Sequence, residues 1–511
     1  MALPSAKRIA VANTVGYGIA LAVSFVQAPF LIRLLGDERY GLWSLVGLIT
    51  GYYGLLDFGT RGAVGYFVSR ARARNDAQET AETTASAFWF LVAAALLVLL
   101  VGLVGLWSFP GLFGVPSGML AQTRAAFAIA LVTMALSLPL DVFPAVVNGC
   151  RRAEIVALSE TVVRVMTMVA IFAVLPSYNR LDMLAMANLA GRVMVWGVAA
   201  LTAHRLDLNW SVRPRFLRLA RLREIVRYGL QSFVGNVAGT FVERLDSLVI
   251  AISMGPQMVT YYVIGQSLVN YLRQGVNAIT LALTPFFADL NARRQDDRTL
   301  ELFLGGTRAA TLVTGLIAGG LLAFAPDFLT LWVGPQYVSG EWTRRSDVVL
   351  LVLLTAMIPR FILSAGHQYL FGTNQQGYLS RVVVVEGVAN LALSLLLVGP
   401  LGLAGVAIGS AIPSLVSHGW FAPRFMARAL GIHVRRIVIE GQLPGLLCGV
   451  VVTVVGMLLA RVSRPITWGA LAIDVGLTLL IAAPIVWQVG LTNADREMLR
   501  QATRRRRIAT S

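Results

Sequence analysis

Long apolar runs recur along the whole chain, and each is continuous enough to fill the hydrocarbon core of a lipid bilayer. A spanning helix needs about 20 apolar residues, so about fourteen spans would use about 280 of them. Of the 511 residues, 57% are hydrophobic and only 14% are charged, which is more apolar surface than a soluble core absorbs. We therefore expect an integral membrane protein.

The continuous apolar character of these runs indicates that they form helices. Lipid offers no partner to open backbone groups, so only helices and closed barrels span a bilayer. A barrel strand alternates apolar and polar residues, whereas these runs do not alternate. The predicted fold class is thus an all-α integral membrane protein with about fourteen transmembrane helices. The predicted spans cover residues 9–31, 41–66, 86–108, 125–147, 155–175, 182–203, 226–253, 259–286, 302–326, 348–371, 381–398, 401–423, 441–460 and 466–488.

Basic residues collect between the runs and orient the chain. The formal net charge is +17, but the basic residues do not form the folded basic face that binds nucleic acid. One alternate set of connections holds about 28 basic residues and the other about 8, so the richer set faces the cytoplasm. We expect a multi-pass protein with both termini in the cytoplasm. The termini share that side with the connections 67–85, 148–154, 204–225, 287–301, 372–381 and 424–440.

One cytoplasmic segment, residues 213–227, combines arginine with apolar residues. Its arginines alternate with Phe, Leu, Ile and Val, and Pro214 suits the start of a helix. This pattern predicts a basic amphipathic helix on the anionic inner leaflet. The alternative, an ordinary positive-inside loop, explains the charge but not the interleaved apolar residues. The arginines are Arg213, Arg215, Arg218, Arg221, Arg223 and Arg227.

The two halves of the chain match weakly. Gly36 and Gly255 follow the first and seventh spans, and Gly149 and Gly372 follow the fourth and tenth. Because secondary transporters are usually built from repeated halves, we expect two pseudo-symmetric six-helix bundles followed by two further helices. The predicted parts are a first six-helix lobe at 1–203, a cytoplasmic basic amphipathic linker at 204–225, a second six-helix lobe at 226–424, and two additional helices with a basic tail at 425–511.

The eighth predicted span carries a polar stripe. Its members recur at intervals of three and four residues, which puts them on one helix face. Arg273 lies near the middle of the span, where a charge costs several kcal/mol unless it meets water, a partner or an anionic ligand. A buried structural ion pair is the alternative. The stripe consists of Gln266, Asn270, Arg273, Gln274 and Asn277.

Polar residues also lie in the first, second and seventh spans, and we expect these spans to line one polar cavity with the eighth. Asp57 and Arg61 lie one helical turn apart; a structural pair is the alternative, as is snorkelling of Arg61 to the surface. For Glu243 and Arg244 the alternative is mutual neutralisation. The stripes comprise Asn13, Tyr17, Ser24 and Gln27 in the first span, and Ser232, Asn236, Thr240, Glu243 and Ser247, beside Arg244 and Asp246, in the seventh. A structural ion-pair network in the first bundle is expected of Glu160, Arg164 and Arg192.

No cofactor is expected. Lys7 is the only lysine, and no glycine-rich run precedes it, which excludes a Walker A nucleotide loop. Cys150 and Cys448 lie far apart, and neither they nor the four histidines show metal-ligand spacing. Energy for transport must then come from an ion gradient, the membrane potential, substrate supply or a partner.

Several short motifs follow one another along the chain. They are PFLIRLLG at 29–36, YGLW at 40–43, LLDFG at 55–59, TPFF at 284–287 and GLAGVA at 402–407. Together they resemble the motifs of polysaccharide flippases of the O-antigen type, which move lipid-linked oligosaccharides. That family belongs to the multidrug/oligosaccharidyl-lipid/polysaccharide exporter superfamily, which also holds multidrug and toxic compound extrusion transporters and lipid II flippases.

The resemblance implies two six-helix lobes around a central cavity, which work by alternating access. The usual substrate of the family is an undecaprenyl-pyrophosphate-linked oligosaccharide, moved from the inner to the outer leaflet of the bacterial cytoplasmic membrane. The resemblance thus implies a transporter rather than an enzyme. Its implied partners are the lipid-linked substrate, membrane lipids, a polysaccharide polymerase and glycosyltransferases, with no nucleic acid.

Cationic residues in such a cavity would meet the pyrophosphate or acidic sugars of the substrate. The predicted substrate-binding residues are Arg61, Arg244, Gln266, Asn270, Arg273 and Asn277. The predicted ion-coupling residues are Asp57, Glu243 and Asp246. Asp474 and His418 are isolated in the sequence and carry no prediction.

Two other functions remain open from the sequence. An ion-coupled small-molecule or multidrug antiporter of the same superfamily would share the fold, although arginine-bearing stripes disfavour cationic drugs. A lipid-embedded enzyme, or a scaffold for glycan synthesis, is the other alternative. Against it, the sequence lacks the clustered catalytic groups and large extramembrane domain of many such enzymes.

Overall fold

The computed structural model describes residues 6–51, 56–150, 152–206, 210–375, 377–490 and 496, and the regular elements in these residues are all helical. This confirms the predicted all-α class. The first helices are α1 (Ala6–Thr50), α2 (Thr60–Ala73), α3 (Ala77–Leu112), α4 (Leu120–Leu140), α5 (Val142–Gly149), α6 (Ala153–Tyr178), α7 (Leu181–Arg205), α8 (Leu219–Met254) and α9 (Pro256–Thr280). The later ones are α10 (Thr284–Ala292), α11 (Asp296–Trp332), α12 (Ser346–Ile362), α13 (Ser364–Gly372), α14 (Gly377–Ser414), α15 (Ala422–Ala429), α16 (Val434–Arg436), α17 (Leu443–Ser463) and α18 (Trp468–Ile485).

Many of these helices are built to cross a bilayer. Within the described residues, nine are long and apolar enough, or ten if α12 and α13, which are bent by 42° to each other, form one span. Helices α8 and α9 are also long, but their polar side chains keep them outside this set. The protein is therefore a multi-pass membrane protein, while the count of about fourteen spans stays a prediction.

The surface of α3 carries large apolar side chains that are exposed, which indicates contact with lipid. Leu97, Leu100, Val104 and Trp107 are each more than half exposed although they are large and apolar. A soluble monomer rarely exposes a continuous apolar face of this kind. In a bilayer the same face contacts lipid tails.

The chain forms two compact units, Met1–Thr260 and Tyr261–Ser511, which divide within α9. In the first unit, small and branched side chains of α2, α3, α4, α5 and α7 form the core. In the second unit, a core cluster surrounds Phe287, Phe303 and Tyr369. The lobe boundaries predicted from the sequence (1–203, 204–225, 226–424 and 425–511) stay a prediction.

Two glycines singled out as repeat markers share one unusual backbone conformation. Gly36, where the two halves of α1 meet, has φ 74° and ψ 171°, and Gly255, between α8 and α9, has φ 87° and ψ 168°. Only glycine adopts this region readily, because a Cβ atom would clash with the backbone. The conformation supports a repeated helix–glycine–helix element in the two units.

A second repeated element is a long helix broken before its end. Helix α4 breaks into α5, and α12 breaks into α13. Each short helix ends at a glycine that packs closely on another helix of its own unit. A Cβ atom on Gly149 would lie 2.7 Å from the Gly65 carbonyl oxygen in α2, and one on Gly372 would lie 2.9 Å from the Thr284 carbonyl oxygen in α10. The predicted internal repeat thus has matching geometry inside each unit.

The basic segment before α8 differs from its prediction. Residues Pro214–Phe216 form a single 3₁₀ turn, and the α-helix begins only at Leu219 and continues to Met254. The predicted amphipathic helix over 213–227 is therefore helical only from Leu219 onward, as the first turns of α8, and its position on the inner leaflet stays a prediction. Contacts with α3 hold the start of the segment extended, since Ser86 Oγ accepts from the Arg218 N–H at 3.0 Å and Trp89 Nε1 donates to the Val212 carbonyl at 2.9 Å.

Candidate functional site

Arg61 lies between two carboxylates in the first unit. Its Nε donates to Asp57 Oδ2 at 2.6 Å, and its Nη1 donates to Asp141 Oδ2 at 3.1 Å. Asp57 belongs to the turn before α2, where its Oδ1 also accepts from the Gly59 N–H at 2.9 Å. The structure therefore brings together the predicted pair, Asp57 and Arg61.

Asp141 is the residue that this network shares and that sequence reasoning missed. It lies at the break between α4 and α5 and is buried. Its Oδ1 accepts from Trp196 Nε1 at 2.7 Å, and Arg192 Nη2 lies 3.7 Å from its Oδ2. We call Asp57, Arg61, Asp141, Arg192 and Trp196 the Asp141 cluster. In the sequence, the feature that could have pointed to Asp141 is an acidic residue in an otherwise apolar run, shortly after Pro139.

The charges of the Asp141 cluster cancel, with two arginines and two aspartates. A charge in the membrane interior is tolerated when it is paired and hydrogen-bonded. Arg61 keeps 36% of its side chain exposed, whereas the side chains of Asp57 and Asp141 are 10% and 7% exposed. The arginine is thus the accessible member of the cluster. An anion that binds Arg61 must compete with two carboxylates already in place.

Arg244 of α8 contacts the end of α1. Its Nη1 donates to the Leu48 carbonyl at 3.0 Å, and a Cβ atom on Gly51 would lie only 1.7 Å from the same nitrogen. The last carbonyls of a helix lack intrahelical partners and carry partial negative charge, so a guanidinium stabilises this end. Asp246, on the same helix, is buried. Of these two predicted site residues, Arg244 therefore has a structural contact within the first unit.

Some predicted residues lie outside the described side chains. This applies to Glu243, and to Ser232, Asn236 and Thr240 of the same stripe, because the side chains of 231–243 are not described. It also applies to Asn13 near the N-terminus. Their predicted roles stay predictions.

Helix α9 has two unlike faces. Leu268, Val269, Leu272 and Val276 are buried. The predicted polar stripe lies on the other positions, with Gln266, Asn270, Arg273 and Gln274 half-buried and Asn277 exposed. Gln274 Nε2 donates back to the Asn270 carbonyl at 3.3 Å. The stripe is thus a partly accessible polar face on one uninterrupted helix.

The described residues contain no group of three or more His, Cys, Asp or Glu side chains that is placed to hold a metal ion. Cys150 and Cys448 are both buried free thiols. The chemistry that the clusters above offer is the binding of anions and protons by charged and amide groups.

A bundle of apolar helices that keeps charged clusters between its spans has the features of a multi-pass membrane transporter. The sequence profile of the family described as polysaccharide biosynthesis protein matches residues 7–291, which is more than half of the chain. The chain belongs to this family. The resemblance drawn from the motifs is confirmed.

Three relatives match most of this chain. It is 22% identical to the membrane protein EpsK of Bacillus subtilis, over 98% of both chains. It is 21% identical to a Haloferax volcanii protein, provisionally named a low-salt glycan biosynthesis flippase, over 83% of this chain and 84% of the relative. A Shigella flexneri protein, provisionally named an O-antigen transporter, is 20% identical over 78% of this chain and 93% of its own. The names of the Haloferax volcanii and Shigella flexneri proteins describe a flippase and a transporter rather than enzymes.

Solved structures show the same fold. The lipid II flippase MurJ in an inward closed conformation matches with a TM-score of 0.67, at 12% identity, over 92% of this chain and 98% of its own. A multidrug resistance MATE family transporter in an inward-facing conformation matches with a TM-score of 0.61, at 16% identity, over 82% of this chain and 95% of its own. Identities this low support the fold alone. The fold of this chain is therefore similar to the folds of these two solved structures.

Proposed function

We propose that this protein is a flippase for a polysaccharide precursor. Its substrate would be an oligosaccharide linked through pyrophosphate to a polyprenyl lipid. The protein would move this substrate from the inner to the outer leaflet of the bacterial cytoplasmic membrane by alternating access. The family membership and the names of the relatives support a glycan as the cargo.

The polar face of α9 is the observation that best supports a substrate-binding site. A guanidinium binds a pyrophosphate through two parallel hydrogen bonds, which suits Arg273 as the ligand of the anionic part. Gln266, Asn270 and Asn277 present amides, which donate and accept hydrogen bonds as sugar hydroxyls do. Arg61 and Arg244 would be further cationic ligands, each after exchange of its present contacts.

We expect Arg273→Ala to abolish glycan export while the protein still inserts at its normal level. Loss of a positive charge from a span does not hinder insertion, whereas loss of a bidentate ligand removes substrate affinity. Arg273→Lys should restore export only in part. Export and membrane abundance are measured together in a deletion strain that carries each variant.

The matched control is Arg293→Ala. Arg293 follows α10 and forms an exposed pair with Asp289, with both side chains more than half exposed, so export should be unchanged. Normal export with Arg273→Ala would remove this arginine from the substrate site. Low abundance of that variant alone would show a structural role instead. Translocation of a cationic drug rather than a lipid-linked glycan by the purified protein would establish the alternative, an ion-coupled antiporter.

A further inference from the structure

A group of four titratable side chains, two of them buried, lies in the second unit, and none of the four belongs to the sites above. It comprises Arg360 of α12, His367 of α13, Glu386 of α14 and His418. His418 belongs to a π-helical segment, Leu415–Phe421, that follows α14. We call these four residues the Glu386 cluster. Glu386 and His418 are each only 3% exposed.

The members of the Glu386 cluster are close to one another but are not tightly bonded. Arg360 Nη1 lies 3.7 Å from Glu386 Oε1, and His418 Nδ1 lies 3.7 Å from Glu386 Oε2. Charge-assisted hydrogen bonds are about 2.7 to 2.9 Å long. The rings of His367 and His418 meet edge to face, with their centroids 5.6 Å apart.

Three buried polar atoms of the cluster are left without a hydrogen bond. Glu386 Oε2, His418 Nδ1 and His367 Nε2 have no hydrogen-bond partner among the residues that the structure describes. An ionised carboxylate that is buried with an unpaired oxygen costs free energy, and a neutral carboxylic acid avoids most of that cost. The Arg360 guanidinium and a hydrogen bond from the Ser414 hydroxyl act in the opposite direction, because a nearby positive charge and a hydrogen-bond donor both favour the carboxylate.

The distance between these groups therefore shifts the balance between burial, which favours the acid form of Glu386, and the positive charge of Arg360, which favours the carboxylate. At 3.7 Å neither Arg360 nor His418 forms a full hydrogen bond with the carboxyl group, and we call this the open arrangement. If α12, α14 and the π-helical segment moved closer by about 1 Å, full hydrogen bonds would form and favour the carboxylate. π-helical turns occur frequently at functional sites, and this one sets the position of His418. The positive charge of Arg360 disfavours a metal cation at the same place.

We propose that Glu386 is a proton-binding site, which takes up a proton in the open arrangement of the Glu386 cluster and releases it when Arg360 and His418 close on the carboxylate. A role of this proton in driving transport rests on the proposed flippase function, whereas proton binding itself does not. Asp57, one of the three ion-coupling candidates from the sequence, already pairs with Arg61.

Dicyclohexylcarbodiimide tests the proposal on the full-length protein in native membranes. Only a protonated carboxyl in an apolar site adds across the carbodiimide C=N bond, and the acyl group then migrates to nitrogen as a stable N-acylurea without a leaving group. Mass spectrometry of the peptide that contains Glu386 gives the labelled fraction. We expect this fraction to rise as the pH falls, and Glu386→Gln to remove it.

Two variants test whether the charge of Arg360 favours the carboxylate form of Glu386, and whether the ring of His418 is needed for the pH dependence. Arg360→Gln removes the charge that favours the carboxylate, so half-maximal labelling should move up by about one pH unit. His418→Gln keeps a hydrogen-bond donor and removes the titratable ring, and the rise of labelling at low pH should persist. If Arg360→Gln does not fold, the pH dependence of the natural protein and of His418→Gln still decides the outcome.

Asp474 is the internal reference for access of the reagent, because it is another buried carboxyl of the second unit. Labelling of Asp474 without labelling of Glu386 would overturn the proposal, as would labelling of Glu386 that does not change with pH. Loss of the pH dependence in His418→Gln would place the proton on the ring instead. Export assays with Glu386→Gln then test coupling separately, since the labelling needs no substrate.

Discussion

Individual charged residues in the first unit are held by other charged residues of the same unit. Asp57 and Arg61 are four residues apart, and a structural pair was one of the interpretations that this spacing left open. Asp141 lies 80 positions further along the chain than Arg61, so no local spacing reveals it. Sequence patterns thus identify ion pairs within one helical turn. They do not identify the third partner that determines whether the arginine is available to a ligand.

The Asp141 cluster predicts unequal effects for its members. Arg61→Gln leaves two buried carboxylates without their shared cation, and should destabilise the protein by about 2 to 3 kcal/mol. Asp57→Asn leaves Arg61 paired with Asp141 and should cost only about 1 kcal/mol. Apparent unfolding temperatures in detergent measure both changes.

The matched control for this comparison is Arg293→Gln. Arg293 also pairs with an aspartate four residues away, but the side chains of Arg293 and Asp289 are 64% and 57% exposed, so the unfolding temperature should hardly change. Equal stability of Arg61→Gln and Arg293→Gln would contradict the proposed dependence of Asp57 and Asp141 on Arg61. Loss of export from Arg61→Gln at full stability would instead support a ligand role for this arginine.

The sequence predicts a helix correctly where a long apolar run marks it. The predicted spans at 86–108, 155–175, 182–203 and 302–326 fall within α3, α6, α7 and α11. Helix breaks were not predictable in this way, because α5 and α13 continue the apolar runs of the helices before them. The late start of α8 was also hidden, since Ser86 binds Arg218 from 132 residues away.

Two glycines of α1 differ in what surrounds them, and this difference is testable. A Cβ atom on Gly41 would lie 1.8 Å from the Pro256 carbonyl oxygen, whereas one on Gly47 would meet nothing within 4 Å. Gly41→Ala must push backbone segments apart, at a cost of about 1 to 3 kcal/mol. Gly47→Ala should instead stabilise the helix by up to about 1 kcal/mol.

Unfolding temperatures of the two alanine variants in detergent provide the measurement. The substitutions are chemically identical and lie in one helix, so each serves as the control for the other. A Gly41→Ala protein as stable as Gly47→Ala would show that α1 does not approach the start of α9 closely.

The whole molecule is predictable in class but not in every detail. Composition and apolar runs predicted a helical membrane protein, and the motifs predicted its family. The sites were harder to predict, because polar stripes show which helix face is polar but not which groups touch. His418 appeared isolated in the sequence, and only the fold brings it next to Glu386 and His367.

Orientation in the membrane rests on the distribution of arginine and is tested by labelling. The positive-inside rule places the connection 204–225 in the cytoplasm and the connection 327–347 outside. A cysteine at Arg215, which is exposed, should therefore resist an impermeant maleimide in intact cells, and a cysteine at Glu341, which is also exposed, should react. The native Cys150 and Cys448 are buried and should contribute little background. After the membrane is permeabilised, Arg215→Cys should react as fully as Glu341→Cys, which controls for access; its reaction in intact cells would reverse the topology.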